Sequence, residues 1–200
     1  MKKPWDSFEK NYVAVETVDP RTGKPKLQYE YCGPWFLCCA RPEIWRKAKL
    51  VSAGSLAADV AAVFWSGLMD SALNRAAATC VPFGLSVAAL LFVVLGTGMF
   101  LASGMKMKRP DYERMDRLLR SAPVIEAILL FLASVLGIIY AFIKQLPGKE
   151  WVPAAGFLLG GFGSLLIFLS YRSLRYREEK NTEFEYSTEH PLFESQNSEN

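Results

Sequence analysis

The feature that most constrains this 200-residue chain is the separation of its apolar residues from its charges. An α-helix needs about 20 mostly apolar residues to cross the hydrocarbon core of a bilayer. Four segments meet that length. Residues 80–103 contain "LSVAALLFVVLGTGMFLAS" and no charge. Residues 123–143 read "PVIEAILLFLASVLGIIYAFI", with Glu126 as the one charge. Residues 151–171 read "WVPAAGFLLGGFGSLLIFLSY" and are uncharged. Residues 50–69 are the weakest candidate, rich in Ala, Gly and Ser and carrying Asp59 inside "SLAADVAAVFW". The expected class is an all-α membrane protein with four transmembrane helices.

The flanking charges favour all four crossings. Cytoplasmic flanks collect Lys and Arg, and short loops weigh most. One cluster, Arg41, Arg46, Lys47 and Lys49, precedes the first span. A second, Lys106, Lys108, Arg109, Arg114, Arg117 and Arg120, lies between the second and third spans. A third, Arg172, Arg175, Arg177 and Lys180, follows the fourth. The two remaining loops hold Arg75 in one and Lys144 and Lys149 in the other. With four crossings every cluster falls on one side, which predicts a cell-membrane protein with both termini in the cytoplasm. The basic N-terminus, "MKKPWDSFEK", is not followed by an apolar stretch, so no cleavable signal peptide is expected.

This pattern divides the chain into a cytoplasmic segment 1–49, a four-helix membrane domain 50–171 and an acidic tail 172–200. In the first, "YVAVETV" and "KLQYEY" are rich in β-formers and are joined by the turn-rich "DPRTGKP". They predict a small β-hairpin, which is marginal alone and needs a surface to lean on. "GPWFLCC" and Trp45 read as aromatic anchors at the membrane interface. In the 106–120 loop, Pro110 and Asp111 signal a helix start, and Tyr112, Met115, Leu118 and Leu119 share a face. Glu113 with Arg117, and Asp116 with Arg120, add acid-first pairs four residues apart. That segment is expected to be an amphipathic helix on the anionic inner leaflet, or a docking surface for a protein partner. The tail holds seven glutamates from Glu178 onward and is expected to stay solvated.

Asp59 is the anomaly. A carboxylate near the bilayer centre costs about 2.5–3.5 kcal/mol on insertion scales. Helical geometry puts Ser52, Ser55, Asp59 and Ser66 on one stripe of a helix otherwise built from small residues. Such a helix is expected inside a bundle, against small residues of a neighbour. Gly156, Gly160 and Ser164 of the fourth span have the matching spacing. Glu126 is expected near the start of its own helix, where the N-terminus and the nearby Arg117 and Arg120 would suit its charge. Asp59 then holds helices in register or, in the competing reading, takes up a proton or cation.

Other chemistry finds little support. The cysteines, Cys32, Cys38, Cys39 and Cys80, form neither a disulfide framework nor a C-x-x-C pair, so no metal is expected. Cys38 and Cys39 read as plain thiols, with acylation the alternative. The single histidine, His190, sits in the tail. There is no P-loop, H-E-x-x-H or G-x-S-x-G, and no internal repeat. No cofactor or nucleic-acid partner is expected. The reading is a noncatalytic membrane subunit, adaptor or assembly factor, with a partner protein or a second copy beside it. The alternative is a small transporter or channel subunit using Asp59 for proton or cation coupling.

Overall fold

The computed structural model describes residues 11–18 and 24–181. The N-terminal ten residues, residues 19–23 where the turn is expected, and the tail from residue 182, with His190, lie outside the described residues. Among those described, four helices are long and apolar enough to cross a membrane. They are α1 (Pro42–Leu68), α3 (Ala77–Ala102), α4 (Arg109–Ile143) and α5 (Trp151–Arg172). A short α2 (Ala72–Arg75) links the first two, and a 3-10 turn (Gly148–Glu150) precedes α5. The strands are β1 (Tyr12–Val18), β2 (Pro25–Tyr31), β3 (Trp35–Cys38), β4 (Lys106–Lys108) and β5 (Tyr176–Glu179). These helices mark an integral membrane protein.

The chain resolves into two compact units. Among the described residues, the first gathers those up to Leu37, Lys106–Tyr112 and those from Tyr176 onward. In it β1 and β2 form the expected antiparallel hairpin, Tyr12 opposite Tyr31 and Val18 opposite Pro25. Sequence reasoning missed a second sheet, ordered β4-β3-β5, in which β3 runs antiparallel to β4. "GPWFLCC" is therefore mostly strand. Trp35 packs edge-on against Tyr31 at 5.2 Å, and Phe36 stacks on Tyr112 at 4.2 Å. Tyr31 joins the two sheets. Its hydroxyl donates to the Pro34 carbonyl at 2.6 Å and accepts from the Arg109 N–H at 2.8 Å. This is the support that a lone hairpin lacks.

The second unit, Cys38–Met105 with Glu113–Arg175, is the helical one. α1 starts eight residues earlier than the apolar run implied, because Pro42 suits the first helical turn and Glu43 complements the helix dipole there. Its 27 residues measure about 40 Å, more than the ~30 Å of a hydrocarbon core. The Asn74 side chain closes it, donating to the Ser66 carbonyl at 2.7 Å and the Met69 carbonyl at 2.8 Å. Near its start Lys49 donates to the Leu101 and Ser103 carbonyls at the end of α3, a cation on a helix C-terminus.

The surface helix expected at 106–120 is not a separate element. Residues 106–108 are β4, and the remainder is the first third of α4, which runs unbroken through Pro123 to Ile143. Met115 and Leu119 are fully buried in protein, and Leu118 and Leu119 lie against Gly96 of α3. The apolar face of this segment is thus a packing face. Proline removes one backbone hydrogen bond, but membrane helices tolerate it where neighbours restore the packing.

Packing within this unit is densest between α1 and α5, which face each other along their length. One core cluster joins Val63, Leu90, Leu130, Ala133 and Phe157 from four helices. A second, Leu73, Ala141 and Ala154, sits by the α2 turn. Large side chains such as Trp65, Leu91, Ile128 and Leu159 point outward. An apolar exterior of this kind suits a bilayer, not water.

Candidate functional site

The polar stripe of α1 faces protein along its whole length. Ser52, Ser55, Asp59 and Ser66 are all buried. Opposite them α5 presents glycines. A Cβ on Gly160 would lie 3.0 Å from Asp59 Oδ1, and one on Gly163 would lie 3.0 Å from Asp59 Cβ and 3.2 Å from the Ser55 carbonyl. A Cβ on Gly156 would overlap Ser66 Oγ. The absent side chains on α5 make the space that the carboxyl and hydroxyls of α1 occupy. Backbones can approach this closely only across small residues.

Ser164, four residues beyond Gly160, brings a third helix in. Its Oγ lies 2.6 Å from Asp59 Oδ2 on α1 and 2.7 Å from Glu126 Oε2 on α4. All three residues are 0% exposed. Glu126 is therefore not held by the dipole of its own helix. It sits 17 residues, about 25 Å, past the start at Arg109, because the helix begins well before the apolar run.

A hydrogen count constrains this cluster. A serine hydroxyl has one hydrogen to donate and lone pairs to accept with. It cannot donate to two carboxylates at once. Two short contacts therefore require a second hydrogen, supplied by one of the carboxyl groups to the Ser164 oxygen. The outer oxygens, Asp59 Oδ1 and Glu126 Oε1, have no partner among the described residues, nor do Ser52 Oγ and Ser66 Oγ. Burying two acids side by side is sustainable only when they share hydrogen in this way.

Two further bonds across α4 and α5 carried no sequence signal. The Ser134 hydroxyl donates to the Ala154 carbonyl at 2.8 Å, and the Tyr171 hydroxyl donates to Asp116 at 2.7 Å. Serines and tyrosines in apolar runs are common, and which of them meet depends on helix rotation.

The basic residues of 106–120 divide between the two units. Lys106 sits 4.6 Å from the ring centre of Trp35, and Lys108 sits 5.3 Å from that of Tyr31. Arg109 lies 3.9 Å from Glu178. These contacts fall inside the β unit. In the helical unit, Arg120 pairs with Asp116 at 2.8 Å, while Arg114 and Arg117 are exposed. Among the described residues the four cysteines form no disulfide, and no group of three or more potential metal ligands occurs.

The helices and the buried cluster define a class: an integral membrane protein with a carboxyl–hydroxyl–carboxyl bridge at its core. No family model, curated protein or solved structure matches the chain.

Proposed function

We propose that this chain is a noncatalytic subunit of a membrane assembly, an adaptor or assembly factor in the cell membrane with both termini in the cytoplasm. The observation that carries the reading is Ser164, hydrogen-bonded to acids from two other helices. The polar groups of the membrane segments turn toward one another and tie α1, α4 and α5 together. That is how a scaffold holds its shape where lipid offers no hydrophobic drive for helix association. The distribution of Lys and Arg between the short loops supports the orientation. The β unit, facing the cytoplasm in this orientation, is the surface offered to a partner.

A second reading, proton or cation handling, is favoured by one specific feature. Asp59 Oδ1 and Glu126 Oε1 are buried without partners beside a bridge that holds a titratable hydrogen. Ionisable groups inside membrane segments are functional candidates by default. Proteoliposome flux separates the two readings. A scaffold gives no proton- or cation-dependent flux and co-purifies with a stable partner in mild detergent. Flux lost in Asp59→Asn, with folding and assembly intact, would establish the second reading and remove the first.

A further inference from the structure

The outer face of the helical unit carries a groove between α3 and α4 of about 500 Å³, within the range of about 300–1,000 Å³ usual for ligand sites. Its floor is made of small residues, Ala88 and Ala89 on one helix and Ser121 and Ala122 on the other. Its walls are apolar, with Phe92 prominent. At one end stands Arg117. On α4 the lining runs from Arg117 through Ser121 and Ile125 to Leu129, one residue per turn. Those twelve steps span about 18 Å. One leaflet of a ~30 Å hydrocarbon core is about 15 Å deep. The groove is thus about as long as one leaflet is deep, with a cation at one end.

Arg117 is the one basic residue in the groove's lining. Arg120 is held by Asp116, and Arg109 lies near Glu178. Arg117 has no acid partner among the described residues, so its guanidinium is available to bind an anion bidentately. Ser121 donates its hydroxyl to the Arg117 carbonyl and so adds little polarity to the floor.

We propose that this groove is a binding site for an anionic phospholipid, one acyl chain between α3 and α4 and the phosphate on Arg117. The site is specific in headgroup charge and in the depth at which it takes the chain. It does not depend on whether the buried acids lock helices or move protons.

The test uses the full-length protein in nanodiscs containing equal amounts of phosphatidylglycerol and phosphatidylcholine, then native mass spectrometry of the lipids retained. The parent is expected to keep phosphatidylglycerol preferentially. Arg117→Gln should reduce that preference about fivefold, the effect of one basic residue near an anionic surface. Ala88→Phe fills the groove from an exposed position and should reduce retention of both lipids. Ser121→Leu, also exposed, gives the same readout should Ala88→Phe fail to fold. Equal retention of both lipids by the parent overturns the proposal. So does a groove-filling variant that retains lipid like the parent, which would leave only surface attraction. So does a groove-filling variant that keeps its lipid but changes oligomeric state, because the occupant would then be a second copy of the chain.

Discussion

Ser164 decides more of the buried chemistry than either acid. Replacing it with alanine leaves two fully buried carboxyl groups without their shared partner, at about 1–3 kcal/mol for an unsatisfied buried group. Ser164→Ala should therefore lower stability in detergent by at least that much, measured by denaturant or thermal unfolding. Asp59→Asn should cost less, because the amide supplies the second hydrogen permanently. Combined with Glu126→Gln it should be non-additive by about 0.5–3 kcal/mol, because both groups address one hydroxyl. Additive effects would mean that the two acids do not communicate. Tyr31 makes a separate pH prediction in the β unit. Burial raises its phenol above its ordinary value. The folded state then holds the proton more tightly than the unfolded state. Its contribution is complete below the unfolded value of about 10 and is lost as pH rises through the higher folded value. An alkaline titration of stability should show that loss, and Tyr31→Phe should remove it while costing about 0.5–1.5 kcal/mol for each of its two hydrogen bonds. An unchanged alkaline loss in Tyr31→Phe would contradict the assignment. Asp59 was conspicuous from sequence because a lone acid interrupts an apolar run. Its meeting with Glu126 was not, because that depends on the rotation of three helices about their axes.

The helices were legible because hydrophobic length is a strong signal, and the hairpin because β-rich runs of seven and six residues flank a stretch with Pro and Gly turn signals. The sheet β4-β3-β5 was not legible. Its strands have three to four residues each and come from segments about 70 residues apart, too short to show alternation. The start of α4 was misread for a related reason. An amphipathic pattern tells which face is apolar but not whether lipid or protein covers it. Between α1 and α5 the close approach makes its own prediction. Gly156→Ala places a methyl group against Ser66 Oγ and should destabilise the helix pair by about 1–3 kcal/mol, the usual effect of overpacking. Ser66→Ala removes an oxygen that has no hydrogen-bond partner, so it should cost little alone and restore part of the loss in the double variant. Thermal unfolding of the three variants reads this directly. No rescue would mean that the contact is not where the structure has it.

The molecule combines two units of different construction. The β unit draws on three separate stretches of chain and is held by aromatic rings, cations and ladder hydrogen bonds. The helical unit is apolar outside and holds the Asp59–Ser164–Glu126 cluster within its apolar core. Such a cluster is tolerable only if α1, the least apolar of the four long helices, crosses the bilayer among its neighbours rather than lying on the surface. The most direct measurement is the labelling of single cysteines at either end of α1, in a background with the four native cysteines replaced by serine. With a membrane-impermeant thiol reagent on intact cells, Asp70→Cys should label at once and Lys47→Cys only after permeabilisation. Labelling of both positions from the same side would contradict the four-span architecture and the buried acid cluster built on it.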